Sequence, residues 1–395
     1  MKLYNLYEKI TLISSLLIFV NFILIGLNFA DIILKINLVF FLIVLLFFYF
    51  YKPKENFYLK IFFILILLIS LGTPTFEWDP RSIWLFHAKR IFYDNSLFSI
   101  ADNYAPFSHN DYPNLVPALA SSFATLIGHW NEVFPKIAFT FMFFPPLLIS
   151  YVFFKDIKYL IFLSLVLFVI GKYLFTGWAD GLIAVYFGLS SLLMYFLAID
   201  ENNPFRKKRI YYCITFCFFI SLTLIKNEGF ALLFVLFVST FFVNFYKKNL
   251  RNNLRSLIYL SSCFIPVLFW KYFCYLNGIG NDYINVDIIE NISSRITNYE
   301  NYSLIFYYLL LNEKFLYTLA FFSIIFWKNK NSELFIFVFV NAFLYILLLF
   351  VIFLSTPLDF YFQLDSTAAR VIKTLSFLLG LFGLYNLRFT KQKSH

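Results

Sequence analysis

Five short polar stretches interrupt an otherwise apolar chain, and each carries side chains able to do chemistry. FEWDPRSIWLFHAKRIF, at 76–92, sets Asp79 beside Arg81 and follows them with His87, Lys89 and Arg90. SHNDYPNLVP offers His109, Asp111 and Tyr112; TGWADG offers Asp180; KNEG offers Lys226 and Glu228; DSTAAR ends in Arg370. A carboxylate within hydrogen-bond reach of a hydroxyl can take its proton as a general base. Arg and Lys held where charge develops stabilise a phosphate, and the planar fork of Arg suits phosphate geometry. Each stretch also has a plainer reading. Asp111 ahead of a proline, and Asp180 at a helix start, can cap free backbone N–H groups. Lys226 and Glu228 can simply pair, and Arg370 can rest on bulk lipid headgroups. Ionisable residues at the hydrocarbon edge are costly, which makes a functional site the default hypothesis for KNEG.

The elements that must position these residues are membrane spans. The chain has 395 residues, 61% of them hydrophobic and 23% aromatic, with only 14% charged. A water-soluble globule carries roughly 25% charged residues. Many apolar runs reach the ~20 residues a helix needs to cross the hydrocarbon core, and none alternates with the two-residue period of a barrel strand. The expected fold is therefore all-α and polytopic, with about twelve transmembrane helices. Their expected positions are 10–30, 33–52, 58–74, 133–153, 157–176, 181–199, 210–225, 230–246, 256–276, 312–327, 333–354 and 370–387. The first run is too long for a signal-peptide core and lacks a small-residue cleavage pattern, so it is expected to be retained. The four cysteines, Cys213, Cys217, Cys263 and Cys274, lie in apolar runs with no ligand-spaced partner and read as packing residues.

The formal charge of +10 falls in short loops and not in one basic stripe, which argues against nucleic acid and for the positive-inside pattern. With the N-terminus cytoplasmic, YKPKENFYLK, FFKDIK, DENNPFRKKR, YKKNLRNNLR, WKNKN and the tail RFTKQKSH are inside. The segment PNLVPALASSFATLIG, 113–128, then cannot be a span, because counting it would export FRKKR and YKKNLRNNLR. It reads as a short helix lying along the outer surface or partly entering it, and SLIFYYLLLN, 303–312, calls for the same caution. All five polar stretches share the external side. A helix over 80–93 would place Trp84, His87 and Arg90 along one line while Ile83, Phe86 and Ile91 face lipid, an amphipathic juxtamembrane helix. Three regions follow: 1–57 with two N-terminal helices, 58–276 with the external loop 75–132, and 277–395 with a further external loop and the last helices.

The order of the polar pieces resembles a family. Trp78-Asp79 at a span end, Ala88-Lys89 in an amphipathic helix, His109 to Pro113, Gly177 to Asp180, Lys226 to Gly229 and Ser366 to Arg370 look like the integral-membrane glycosyltransferases of the GT-C superfamily. The likeness is to bacterial members akin to protein O-mannosyltransferases and lipid A aminoarabinose transferases, and it runs from 58 to about 387. It implies a GT-C-like fold in the bacterial cytoplasmic (inner) membrane, with the active site on the external, periplasmic face. It also implies a polyprenyl-phosphate sugar donor and a glycan, lipid or protein acceptor. On that basis Asp79 is the candidate base, Asp111 a second carboxylate that positions the acceptor or assists, and Arg370 the main phosphate clamp. Arg81, Lys89, His109, Tyr112, Asp180, Lys226 and Glu228 are candidate substrate-binding residues. The external stretches hold no acidic pair of the D-x-D or D-E type, Asp200-Glu201 lying in the loop DENNPFRKKR expected inside, so no cofactor is assigned and a divalent metal stays an open alternative. Two other functions compete: a polymerase or ligase of lipid-linked glycans built on 277–302, and a lipid-linked sugar flippase or transporter. Transporters show inverted repeats and charges near the midplane, whereas Lys172, Lys271 and Glu313-Lys314 lie nearer span ends.

Overall fold

The structure is a computed structural model and describes residues 2–27, 53–154, 156–201, 203–281 and 288–393. Among these residues every regular element is helical. In chain order they are α1 (Lys2–Gly26), α2 (Pro53–Gly72), α3 (Leu85–Asp94), α4 (Leu115–Ile127), α5 (Ile137–Met142), α6 (Phe144–Phe154), α7 (Ile157–Phe168), α8 (Ala179–Ala198), α9 (Arg209–Ile225), α10 (Asn227–Tyr246), α11 (Leu250–Ser261), α12 (Ile265–Leu276), α13 (Ile288–Ile296), α14 (Tyr299–Leu310), α15 (Glu313–Asn329), α16 (Ser332–Ser355) and α17 (Phe360–Lys393). A π turn at Pro80–Trp84 leads into α3, and a 3₁₀ turn at Gly171–Leu174 precedes α8.

Among the described residues, seven helices are long and apolar enough to cross a membrane: Leu6–Gly26, Ile137–Phe154, Ala179–Ala198, Asn227–Tyr246, Ser256–Leu276, Ser332–Ser355 and Phe360–Arg388. An eighth arises if α14 and α15, bent by 68° at their junction, count as one span. These helices fit an integral membrane protein. The expected spans at 58–74, 157–176 and 210–225 appear as the shorter apolar helices Phe57–Gly72, Lys158–Phe168 and Arg209–Ile225. The expected span at 33–52 lies outside the described residues, as does most of the link between α1 and α2.

Local chemistry sets many of the helix ends. Asp156 caps α7 by accepting from the Lys158 N–H at 3.0 Å, and Asn331 caps α16 by accepting from the Leu334 N–H at 3.2 Å. Gly128 closes α4 in the left-handed region at φ 80°. At the end of α16 the guanidinium of Arg295 donates to the carbonyls of Thr356 at 2.7 Å and Leu358 at 3.2 Å. It also donates to the Phe353 and Leu354 carbonyls at 3.3 Å, acceptors that the finished helix leaves bare.

The core is organised round α8, which is buried along its whole length and packs against α6, α9, α10 and α17. Glycines let the neighbours approach. A Cβ on Gly188 would sit 2.6 Å from the Phe377 ring of α17, one on Gly380 would sit 2.7 Å from Val166 of α7, and one on Gly383 would meet Phe321 of α15 at 2.7 Å. Helix α17 therefore lies between α7 and α15 while leaning on α8. At one end of the bundle Glu8 of α1 is buried and accepts from Lys208 at 2.8 Å and from the Tyr211 hydroxyl at 2.6 Å. At the same end Lys247 pairs with Glu333 at 2.8 Å. Asp79 lies at the opposite end, with Lys226 at the far terminus of α9.

Two expectations about the first loop are corrected. Segment 113–128 forms the short helix expected, but that helix does not lie along a surface: α4 is buried against α1, α3, α5 and α9. Nor does the apolar face of 80–93 rest in lipid, because Ile83, Trp84, Ala88 and Ile91 are each no more than 2% exposed and α3 packs on α4. The physical reason is common to both. Two short apolar faces that cannot span bury each other and leave Lys89 and Tyr93 exposed.

Candidate functional site

The polar stretches meet at the Asp79 end in a ring of contacts. Asp79 ends the turn after α2, and Pro80 fixes the chain as it enters the π turn. The Asp79 Oδ2 accepts from Arg370 Nη1 at 2.7 Å, an ion pair in which the two side chains are 18% and 15% exposed. The Arg370 guanidinium lies 4.5 Å from the centre of the Trp178 ring, a cation–π contact that holds its plane. Two residues on, Asp180 faces Lys226 Nζ at 3.5 Å, and Lys226 also pairs with Glu228 at 2.8 Å. The Lys226 ammonium sits 5.8 Å from the Tyr112 ring centre. Tyr112 stacks on His109 at 4.9 Å, and His109 meets the Trp78 ring edge-on at 6.3 Å. Trp78 is bonded to Asp79, so the circuit closes.

Sharp local geometry makes this approach possible. Gly177 takes φ +86°, and a Cβ there would lie 3.4 Å from both Lys136 and Pro80. A Cβ on Gly181 would fall 2.2 Å from the Tyr173 carbonyl oxygen, and one on Gly229 only 1.8 Å from that of Leu222. Gly229 thus serves close contact between α9 and α10. Lys136, fully buried, runs beneath this corner and donates to the carbonyl of Thr73, just beyond the end of α2. Burial pulls its ammonium down to about 8.

Asp111 stands one residue behind the ring. It is 2% exposed, and its Oδ2 accepts from Asn227 at 2.5 Å and pairs with Lys271 at 3.2 Å. Its carbonyl accepts from the Trp270 indole at 3.0 Å. The capping role open to Asp111 is not taken, since Asn114 stands at the N-terminus of α4. Asp180 likewise caps nothing with its side chain: Trp178 holds that position and Asp180 sits in the first turn of α8, where the helix dipole favours a negative charge. The expected pairing of Lys226 with Glu228 is present. Loop 103–111 is held from below by His87, whose Nε2 bonds the Asn110 side-chain oxygen at 3.1 Å while Asn110 donates to Asn103 and to the Tyr104 carbonyl. Burial pushes the His87 imidazole down to about 4 despite the Asn110 bond, so it is neutral at pH 7.

Arg81 and Lys89 stay outside the ring; both are exposed and neither forms an ion pair among the described residues. Trp178, Lys136 and Lys271 are members the sequence reading did not select. Trp178 lay within the quoted TGWADG, and Lys136 and Lys271 are each a charge near the end of an expected span, so all three left a signal. Among the described residues no three His, Cys, Asp or Glu side chains gather to hold a metal ion. The ring's carboxylates each face a cation instead, an arrangement that does not fit a metal centre.

No family model, curated protein or solved structure matches this chain.

The arrangement itself defines what the site can do. It offers three carboxylates, two fixed cations and stacked aromatic faces on a scaffold of buried helices. Several polar atoms here are buried without a partner in the protein: the Trp178 indole N–H and Arg370 Nε as donors, and Asp180 Oδ2 and Glu228 Oε2 as acceptors. Buried polar groups are normally satisfied. A ligand that both donates and accepts hydrogen bonds suits them.

Proposed function

We propose that the chain is a membrane glycosyltransferase that moves a sugar from a polyprenyl-phosphate donor to a hydroxyl of a glycan, lipid or protein acceptor. The observation that supports the reading is the meeting of Asp79, Arg370, Asp180, Lys226 and Glu228, drawn from four distant segments, at one end of an apolar bundle. Asp79 takes the proton from the acceptor hydroxyl as its oxygen attacks the anomeric carbon. The bond from that carbon to the phosphate oxygen breaks, and the lipid phosphate leaves with the electron pair. Arg370 is bound to Asp79 at rest, and an incoming phosphate competes for it, which frees the carboxylate to accept a proton. Lys226, fixed between two acids and charged, holds the electrostatic field at the sugar. Burial works against its ammonium, but Asp180 and Glu228 outweigh burial and raise its pKa. Asp111, His109 and Tyr112 position the acceptor side, and no step runs through a metal.

This reading extends the resemblance to the GT-C superfamily. It places the site on the external face of a bacterial inner membrane, with the shorter helices completing about twelve crossings. The competing glycan polymerase or ligase draws on Arg295 in 277–302, but that side chain is committed to the end of α16. The test is reconstitution in liposomes with a panel of radiolabelled polyprenyl-phosphate sugars. Donor consumption that Asp79→Asn abolishes, with expression and insertion unchanged, supports the assignment; near-full activity of that variant removes Asp79 from the role.

A further inference from the structure

Beside the ring lies a second group of cations that the mechanism leaves unused. Lys373 is on α17, one turn beyond Arg370, and its ammonium sits 4.0 Å from the centre of the Tyr173 ring. Lys172, in the 3₁₀ turn after α7, approaches the same ring at 5.8 Å. Lys314, in the first turn of α15, brings its ammonium to 3.7 Å from where a side chain on Gly171 would begin. Lys314 and Lys172 are the like charges that act on Lys373. Three ammonium groups from three elements thus surround the turn Gly171–Leu174.

Their compensation is incomplete. Glu77 pairs with Lys172. Asp180 acts on Lys373 from a distance but is already shared with Lys226 and Arg370. Neither Lys314 nor Lys373 forms an ion pair among the described residues, and the neighbouring Glu313 is exposed without reaching Lys314. Like charges gathered around one turn of the backbone repel one another, and an arrangement of this kind is stabilised by an anion.

The surface below the lysines tells what carries the anion. Helices α7 and α15 both pack on α17, and both show bare apolar side chains on their outer faces: Leu165 and Phe168 on α7 are 55% and 67% exposed, Leu316 and Tyr317 on α15 40% and 70%. These faces descend directly from the lysine group. An ammonium cluster above two apolar ridges complements a molecule with a phosphate at one end and a hydrocarbon chain at the other.

We propose that Lys172, Lys314 and Lys373 form a binding site for the phosphate of a lipid whose hydrocarbon chain runs down the α7–α15 side of α17. The site stands on charge and surface alone. Only its identification with the donor's entry point rests on the glycosyltransferase reading, under which the lipid phosphate passes from Lys373 to Arg370, one turn away on the same helix.

The experiment is a binding measurement that needs no turnover. Full-length protein in phosphatidylcholine nanodiscs is titrated with a long-chain polyprenyl monophosphate, with dioleoyl phosphatidic acid and with inorganic phosphate. Both lipid phosphates are expected to bind, inorganic phosphate at least about tenfold more weakly, and affinity is expected to fall with salt. Lys314→Gln with Lys373→Gln is expected to weaken lipid binding by about 100-fold, roughly tenfold for each charge-assisted hydrogen bond removed, while Lys314→Arg with Lys373→Arg retains it. Lys314→Gln alone, at an exposed position, gives the single-step weakening if the double variant folds poorly. Equal binding of inorganic phosphate, unchanged affinity in the Gln variants, or equal weakening in the Arg and Gln variants overturns the proposal. Lipid binding abolished in the Gln variants of a protein that transfers no sugar leaves this site standing and removes the transferase reading; transfer with unaltered lipid affinity does the reverse.

Discussion

Asp79 and Arg370 stand 291 positions apart in the chain and 2.7 Å apart in space, so neither is satisfied without the other. Removing one partner of a fully buried pair costs about 3–5 kcal/mol, and the partial exposure here lowers that figure. Asp79→Asn is expected to lower the apparent Tm of the detergent-solubilised protein, and adding Arg370→Gln is expected to restore part of the difference. Sugar transfer should stay absent in both, which separates the chemical role from the structural one. His87 gives a second residue-scale prediction. Its folded pKa of about 4 lies below its ordinary 6.5, so between these values the unfolded chain binds more protons and stability falls as pH is lowered through that window. The difference amounts to about 3 kcal/mol. Thermal unfolding followed from pH 7 to 4 should show the decline, and His87→Gln should flatten it at some cost at pH 7. Residue types at this scale were readable: acids and bases clustered in polar gaps of an apolar sequence. Their partners were not, because an ion pair across 291 positions leaves no local pattern.

At the scale of elements, the polar stretches depend on helices that touch backbone to backbone. Gly229→Ala would drive a methyl into the Leu222 carbonyl and force α9 and α10 apart, at a cost toward the upper end of about 1–3 kcal/mol. Gly72→Ala, with nothing within 4 Å of the new Cβ, is the matched control and should be neutral or mildly stabilising. Comparing the two variants by apparent Tm and by yield of monodisperse protein tests the assignment. The helical class followed from apolar runs without a strand period, and α8, α10 and α16 fall near their expected positions, whereas α17 begins at Phe360, ten residues before its expected start. What periodicity could not reveal is which apolar faces turn to lipid and which to protein. Hydrocarbon and a neighbouring helix present the same solvent to a leucine, and for that reason α3 and α4, read as surface helices, lie buried against each other.

For the molecule as a whole, the two ends differ in kind. The Glu8 end gathers Lys208, Lys247 and Arg206 on short loops, while the Asp79 end carries the ring and the lysine group. A membrane-impermeant maleimide should label Tyr104→Cys in intact cells or spheroplasts and Lys207→Cys only after permeabilisation. The native thiols are largely out of reach, three of them buried and Cys213 partly so. Labelling of both sites from the same side would undo the orientation and with it the external placement of the site.

Helix α8 is apolar on every side, yet in the finished fold it meets no lipid. During biogenesis such a helix enters the bilayer readily and must then trade its first shell of acyl chains for α6, α9, α10 and α17. Maturation therefore passes through a stage in which the hub is solvated by membrane, open to quality-control proteases. A bulky replacement at Gly188, where α17 seals this hub, should accordingly lower the amount of protein that cells accumulate before it alters anything about the reaction.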